Sequence, residues 1–191
     1  MEARILVAGR GGMGAVGLGY MLTVLYLKRG YHVSMFPTYG PETRGGLVVS
    51  MVSASTDPVD NPVVEEADVL ICMDGIGLTY LDSLKEGGLL LYVDELVEPP
   101  NGKFYKFGLP ALKMAEEVAT EVERETGKKF REKRIFSNTV MFGVYARIIG
   151  FAEEEAKAVV KEVFGGKKPY VVEVNMRAVS SGYKAAMLSP K

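Results

Sequence analysis

Residues 4–30, RILVAGRGGMGAVGLGYMLTVLYLKRG, combine a short apolar run, a cluster of glycines and a long apolar segment. The run RILVA at residues 4–8 is short, apolar and continuous, which is typical of a buried parallel strand. A glycine-rich turn follows, and the apolar stretch Met13–Arg29 then predicts a helix. The segment Tyr31–Phe36 has the pattern of a second strand. A strand, a glycine turn, a helix and a strand in this order predict an α/β fold.

Strand-like and helix-like segments alternate through the rest of the chain. Further strands are predicted at Leu47–Ser53, Asp68–Met73, Leu89–Val93, Phe104–Phe107 and Tyr170–Val174. Helices are predicted at Gly75–Lys85 (ending at the Gly87-Gly88 turn), Leu109–Arg124, Thr139–Ile149 and Glu153–Phe164, with a charged surface excursion at Thr126–Lys133. Such alternation favours a parallel sheet that is covered on both faces. We therefore predict a single-domain, three-layer α/β/α fold over residues 1–191, with a mostly parallel, Rossmann-like central sheet.

The composition excludes several classes of protein. The 191 residues are 48% hydrophobic and 25% charged, which is enough apolar material for one sizeable core. The net charge of −1 shows no basic excess, so neither nucleic acid nor a membrane surface is an expected partner. No apolar run reaches the roughly 18 residues of a membrane span, and the N-terminus lacks a signal-peptide pattern. We expect a cytoplasmic protein.

The cysteine and histidine content limits the metal chemistry of the chain. Cys72 is the single cysteine and His32 the single histidine. An iron–sulfur cluster needs about four thiolates, and a structural zinc site needs about four Cys or His ligands. The sequence therefore predicts no metal site, and any electrons must travel through another chain.

Other titratable residues have plain structural explanations. Cys72 lies inside an apolar strand and is expected to be an inert core residue. Asp74, at the end of that strand, is either a turn or helix-cap residue or a ligand contact. Five glutamates of the predicted helix Leu109–Arg124 and its end are expected to form a solvated face: Glu116, Glu117, Glu121, Glu123 and Glu125.

The first glycine loop has the spacing G-x-G-x-x-G. Gly9, Gly11 and Gly14 stand directly after a strand and at the start of a helix, where this motif can cradle a phosphate. The alternative is a tight strand-to-helix crossover without a ligand. A dinucleotide site normally has an acid at the end of the second strand, whereas Val33–Phe36 carries none. The loop is therefore a poor candidate for NAD.

The second loop, residues 36–46, reads FPTYGPETRGG. It follows the second strand, and loops at the carboxyl ends of strands line the ligand crevice in open α/β sheets. Both glycine loops should therefore lie at one edge of the sheet. Arg44 offers a fork of donors for phosphate or carboxylate, and Glu42 can orient Arg44 or a partner group. The alternative is an ordered turn in which Glu42 and Arg44 pair with each other.

Together the two loops resemble the gamma subunit of 2-oxoacid:ferredoxin oxidoreductases. The resemblance rests on two motifs: G-x-G-G-x-G, which precedes a long apolar helix, and the loop Y-G-P-E-x-R-G-G. The resemblance continues at Ala67–Ile71, Lys85–Gly88, Asn138–Gly143, Asn175, Ala178 and Gly182. The family usually has glutamine at the position of Met13, which puts a ligand role for that position in doubt. The form of the second loop favours the 2-oxoglutarate or branched-chain oxoacid types over the pyruvate type.

The resemblance implies a non-autonomous subunit of an oxidoreductase. Members of the family convert a 2-oxoacid to an acyl-CoA and CO2 and pass electrons to ferredoxin. Thiamine diphosphate, Mg and the iron–sulfur clusters are expected on alpha, beta and ferredoxin-like partner subunits, with no cofactor bound by this chain alone and no catalytic residue in it. Residues expected to contact coenzyme A or shape its entry are Gly9, Gly11, Gly12, Gly14, Tyr39, Glu42, Arg44 and Gly45.

Two other functions remain open at this point. The chain could be a stand-alone nucleotide- or phosphate-binding α/β domain, or a regulatory or scaffolding module of the same fold. The missing acid after the second strand argues against an independent NAD enzyme. Co-purification of cluster-bearing, thiamine-binding partners distinguishes the subunit from both alternatives.

Overall fold

The structure is a computed structural model that describes residues 2–42 and 45–187. The chain divides into two units, residues 1–109 and residues 110–191, and each is described by itself. The predicted assignment of residues 1–191 to a single domain stays a prediction. Within the described residues, no helix is both long and apolar enough to cross a membrane.

The first unit is built on a six-stranded sheet. Its strands are β1 (Glu2–Arg10), β2 (His32–Tyr39), β3 (Leu47–Ser55), β4 (Ala67–Cys72), β5 (Leu84–Val93) and β6 (Tyr105–Leu109). The spatial order is β2-β3-β1-β4-β5-β6. β1, β4, β5 and β6 pair in parallel, whereas β3 is antiparallel to both of its neighbours. The predicted α/β class with a mostly parallel sheet is confirmed.

The direction of β3 differs from a purely parallel arrangement. Tyr39 of β2 pairs with Val48 of β3, so the two strands form an antiparallel hairpin closed by residues 40–46. A parallel connection needs a crossover of a dozen or more residues. The loop is too short for that crossover, and the chain has to turn back. The second glycine loop is therefore a hairpin loop.

Helical segments cover both faces of this sheet. Helix α1 (Ala15–Lys28) lies over Ser50, because a Cβ added at Gly19 would be 2.6 Å from the Cβ of Ser50. A 3-10 helix, Gly75–Ser83, packs on the opposite face against a cluster that includes Met51. Side chains alternate along a strand, so Ser50 and Met51 point to opposite faces. The sheet carries helical layers on both sides, as predicted.

The turn predicted at Gly87-Gly88 lies within a strand instead. β5 begins at Leu84, and its register against β4 jumps from Ala67–Leu84 to Val69–Leu89. Gly87 has a φ of 75°, and its N–H donates to the carbonyl of Lys103 at 2.7 Å. The glycines therefore make a bulge inside β5, since glycine tolerates the left-handed region that such an irregularity needs.

The second unit is helical. It contains α2 (Ala111–Thr126), α3 (Ser137–Ile149), α4 (Glu153–Phe164) and α5 (Pro169–Ala185), with a 3-10 turn at Arg134–Phe136. The predicted strand Tyr170–Val174 is wrong, because this segment is the first part of α5. A short apolar run does not distinguish a strand from a helix. Pro169, at the first helical position, starts the helix instead.

Helices α3 and α5 cross in backbone contact. A Cβ added at Gly143 would overlap the carbonyl oxygen of Val179, and one added at Gly182 would overlap that of Val140. Beside this crossing, the Thr139 hydroxyl donates to the buried Asn175 side chain at 2.7 Å. The positions in this region that resemble the oxidoreductase gamma subunits therefore hold two helices together.

One of the five glutamates that were predicted to be solvent-exposed, Glu123 of α2, is buried. This side chain is 5% exposed, whereas all five glutamates were expected in solvent. Its carboxylate accepts hydrogen bonds from the Phe130 backbone N–H at 2.8 Å and from the Lys129 ammonium at 3.3 Å, and it forms an ion pair with Lys133 at 2.8 Å. The charged segment after α2 folds back onto this carboxylate, which a helical period alone does not reveal.

We expect the Glu123 carboxylate to make stability depend on acid pH. The hydrogen bond with Lys133 and the one from the Phe130 N–H lower its pKa from 4.5 to about 2. A pKa that is lower in the folded state means that the stabilisation is complete above pH 4.5 and is lost as the pH falls towards 2. Urea unfolding at pH 7, 4 and 3 should show this loss in the wild type and a flatter profile in Glu123→Gln.

The matched control for Glu123→Gln is Glu117→Gln, at an exposed position of the same helix. This variant should keep the pH profile of the wild type. A Glu123→Gln profile that is as steep as that of the wild type would contradict the assignment.

Candidate functional site

The two glycine loops meet at one edge of the sheet, as their positions after β1 and β2 predict. The Gly11 N–H donates to the carbonyl of Gly46 at 2.8 Å. A Cβ added at Gly11 would be in ordinary contact with the second loop, 3.6 Å from the nitrogen of Gly45. The bond joins the turn after β1 to the hairpin loop between β2 and β3.

The first loop uses part of its own hydrogen-bonding capacity. The Met13 N–H donates to the carbonyl of Arg10 at 3.0 Å, and the Gly11 N–H is bonded to Gly46. Gly14 precedes α1 with a φ of 82°, and no side chain caps the helix. Because these two N–H groups already donate within the chain, fewer N–H donors remain for an anion than the glycine spacing predicts. Met13 takes part in this turn through its backbone N–H, and this hydrogen bond does not depend on the side chain at that position.

The second loop is organised around Glu42. A Cβ at either Gly40 or Gly46 would collide with the Glu42 carboxylate, so the side chain folds back over both glycines. Tyr39 is 67% exposed at the end of β2. Thr43 and Arg44 lie outside the described residues. The predicted clamp by Arg44, and its pairing with Glu42, therefore stay predictions.

Arg10 is a charged residue at this edge that was not among the predicted contacts. It ends β1, and its guanidinium Nε lies 3.5 Å from Oδ2 of Asp74. Oδ1 of Asp74 accepts a hydrogen bond from the Ile76 N–H at 3.1 Å, so Asp74 caps the 3-10 helix, one of its two predicted roles. The Arg10 side chain is 57% exposed. Its place inside the G-x-G spacing, directly after a strand, was the available signal.

The described residues form no site for an iron–sulfur cluster or a metal ion. Within residues 2–42 and 45–187, no three His, Cys, Asp or Glu side chains stand close enough to hold an ion. Cys72 is fully buried, and burial raises the pKa of its thiol to about 12, whereas cluster ligation needs a thiolate. Among the described residues, this edge offers the Arg10 guanidinium, which can bind an anionic group, and the Tyr39 side chain and Glu42 carboxylate, which can orient polar groups.

Residues 4–185 match the protein family described as pyruvate ferredoxin/flavodoxin oxidoreductase. The chain belongs to this family. It is 31% identical to the ketoisovalerate oxidoreductase subunit VorA of Methanothermobacter thermautotrophicus, over 95% of this chain and 36% of the relative. It is 30% identical to the 2-oxoglutarate synthase subunit KorC of Methanocaldococcus jannaschii, over 97% of this chain and 95% of the relative. The chain thus spans about a third of VorA and nearly all of KorC.

Two solved structures of this family share the fold. The gamma subunit of the keto/oxoacid ferredoxin oxidoreductase from Geobacter sulfurreducens superimposes with a TM-score of 0.76 at 25% identity, covering 100% of this chain and 99% of that one. The 2-oxoglutarate:ferredoxin oxidoreductase from Magnetococcus marinus, with 2-oxoglutarate, coenzyme A and succinyl-CoA bound, gives 0.83 at 22% identity, over 100% and 32%. The predicted resemblance to oxidoreductase gamma subunits is confirmed.

Proposed function

We propose that this chain is the gamma-type subunit of a multi-subunit 2-oxoacid:ferredoxin oxidoreductase. In the proposed reaction, a 2-oxoacid and coenzyme A give an acyl-CoA and CO2, and two electrons pass to ferredoxin. Alpha, beta and ferredoxin-like partner subunits supply thiamine diphosphate, Mg and the iron–sulfur clusters. The chain itself assembles the complex and shapes the access of coenzyme A. We place the complex in the cytoplasm.

The length of the match carries this proposal. The similarity to KorC covers 97% of this chain and 95% of the relative, which is a subunit of a 2-oxoglutarate synthase. The residue content points the same way, because a single buried cysteine cannot carry the clusters that transfer the electrons. The chain therefore depends on partners for its redox chemistry.

The joined loops are the proposed contact with coenzyme A. Arg10 is exposed at this edge, and Gly45 of the second loop lies beside it, since a Cβ added there would be 4.0 Å from Cδ of Arg10. A guanidinium binds phosphate oxygens through charge-assisted hydrogen bonds. In the proposed complex, Arg10 and Arg44 hold anionic groups of coenzyme A, and Tyr39 and Glu42 orient the molecule. These contacts position coenzyme A relative to the reacting carbon.

We expect Arg10→Ala to raise the KM for coenzyme A about ten- to hundredfold with little change in kcat. The loss of one charge-assisted hydrogen bond is worth roughly 1.5–3 kcal/mol, and each 1.4 kcal/mol is about a factor of ten. Steady-state kinetics of the complete complex, with coenzyme A varied at saturating oxoacid, measures the effect.

Arg4→Ala is the control for this variant. Arg4 lies at the other end of β1, where its half-exposed side chain forms an ion pair with Glu2 at 3.2 Å. The Arg4→Ala variant therefore removes the same charge at a position away from the site. An unchanged KM in Arg10→Ala would exclude a contact between Arg10 and coenzyme A.

The test of the function is an anaerobic purification of the tagged chain from its native cell. The eluate is analysed for iron, for thiamine diphosphate and for reduction of a dye that requires both oxoacid and coenzyme A. Stoichiometric cluster-bearing partners with this activity support the subunit. Recovery of a lone colourless protein would contradict the subunit function and favour a stand-alone phosphate-binding domain.

The same preparation identifies the oxoacid. Identity to the ketoisovalerate relative is 31% and to the 2-oxoglutarate relative 30%, so overall similarity does not separate the two types. We propose a 2-oxoglutarate or branched-chain substrate from the form of the second loop. Rates with 2-oxoglutarate, ketoisovalerate and pyruvate at equal concentration test it, and the highest rate with pyruvate would overturn this choice.

A further inference from the structure

The Asp74 carboxylate is held by hydrogen bonds at the start of the 3-10 helix. Its Oδ1 atom accepts from the Ile76 N–H at 3.1 Å, and the backbone carbonyl of Asp74 accepts from the Gly77 N–H at 2.9 Å. The side chain is only 16% exposed. These bonds fix the carboxylate relative to the end of β4, and they leave Oδ2 available to a second group.

The end of β4 lies directly beside the end of β1. The Met73 N–H donates to the carbonyl of Ala8 at 2.8 Å, which extends the parallel pairing of the two strands. A Cβ added at Gly9 would lie 2.8 Å from the Cβ of Met73, so the two backbones approach closely. Arg10 and Asp74 are the next residues along the two strands. Main-chain contacts therefore bring this guanidinium and this carboxylate together.

The Arg10 guanidinium meets Asp74 on one side only. Its Nε atom lies 3.5 Å from Oδ2, and in the part of the chain that the structure describes Asp74 is the only side chain that pairs with Arg10. A guanidinium is a planar fork of five N–H donors, so a partner at Nε also sets the direction of the two terminal nitrogens. These terminal nitrogens can bind an anion while Nε faces the carboxylate.

We propose that Asp74 is the positioning residue that aims the Arg10 fork at a phosphate group of coenzyme A. The inference rests on the proposed function, because it requires that Arg10 bind coenzyme A. Asp74 itself makes no contact with the ligand, since its carboxylate would repel a phosphate. A phosphate on the far side of the guanidinium is separated from the carboxylate by the width of that group, and exposed charges at such a separation are partly screened by salt. Orientation of Arg10 therefore outweighs the repulsion.

The test is Asp74→Asn in the complete complex, with coenzyme A varied at saturating oxoacid. Asparagine caps a helix as well as aspartate does, so the bond from the Ile76 N–H and the unfolding midpoint should be kept. Its amide nitrogen takes the place of Oδ2 and sets a donor against the Nε–H donor of Arg10. We expect the KM for coenzyme A to rise about two- to fivefold at unchanged kcat, as for loss of an exposed ion pair. Asp74→Ser, which also keeps a capping oxygen without the charge, should give the same rise.

A double-mutant cycle separates positioning from a structural role. Because Asp74 acts through Arg10, the double variant Arg10→Ala/Asp74→Asn should have the KM of Arg10→Ala alone. A role in capping the 3-10 helix alone predicts a wild-type KM for Asp74→Asn, and a direct contact of Asp74 with coenzyme A predicts effects that multiply. The matched control is Asp82→Asn, which removes the same charge from an exposed position near the other end of this 3-10 helix and should leave the KM unchanged.

The outcomes separate this inference from the proposed function. A wild-type complex without activity that depends on coenzyme A overturns both. A raised KM in Arg10→Ala, together with a wild-type or lowered KM in Asp74→Asn, overturns the role of Asp74 and leaves the Arg10 contact intact. Effects that multiply in the double variant also overturn positioning through Arg10. An unchanged KM in Arg10→Ala excludes the contact with coenzyme A and the positioning role with it, whereas the subunit function stands.

Discussion

Gly182→Ala is expected to lower the free energy of unfolding by about 3 kcal/mol. The added methyl group would overlap the carbonyl oxygen of Val140 on α3, and neither backbone has a flexible end that could move aside. The helices α3 and α5 must therefore separate, which loosens the packing around the crossing. Urea unfolding followed by circular dichroism at 25 °C measures the change.

Gly166→Ala is the matched control for this variant. Gly166 also lies in the helical unit, its φ is not in the left-handed region, and an added Cβ would have no heavy atom within 4 Å. We expect its stability to stay within about 0.5 kcal/mol of the wild type. Equal unfolding midpoints for Gly182→Ala and Gly166→Ala would mean that the two helices do not touch through their backbones.

Gly77→Ala is expected to cost about 2 kcal/mol and to weaken coenzyme A binding as well. A Cβ at Gly77 would lie 2.7 Å from the carbonyl oxygen of Ala8 and 3.2 Å from Sγ of Cys72. The 3-10 helix must then move away from the end of β1, and Asp74, which caps it, moves too. Urea unfolding measures the first effect, and the KM for coenzyme A in the complete complex measures the second.

The stability control for Gly77→Ala is Gly11→Ala. A methyl group at Gly11 would make ordinary contacts, the nearest at 3.5 Å to the carbonyl oxygen of Gly46, and Gly11 is not in the left-handed region. Its unfolding should stay within about 0.5 kcal/mol of the wild type. A Gly77→Ala protein with wild-type stability and wild-type KM would show that the 3-10 helix does not depend on this close approach.

Elements with strong local signals were predictable from the sequence. The helix Glu153–Phe164 has the predicted limits, because its amphipathic pattern spans these residues and acidic residues mark its first turn. The joining of the two loops was also predictable, since parallel strands bring the loops at their carboxyl ends to one edge. The family followed from the second loop, whose residue order is more specific than a glycine spacing.

Features that depend on distant contacts were not predictable. The burial of Glu123 requires that Phe130 and Lys133 return to it, and no local pattern contains that return. The helix Pro169–Ala185 is stabilised by its packing on α3, which overrides the strand-like run at its start. The position of Arg10 inside the G-x-G spacing was a weak signal, and the residue became a candidate for the site when the fold placed it beside Gly45 and Asp74.

The bond between Gly11 and Gly46 consists of main-chain atoms alone. Mutations that change the exposed side chains of either loop leave its donor and acceptor in place. Substitutions at exposed positions such as Tyr39 can therefore change the surface of the two loops while the distance between the loops stays the same.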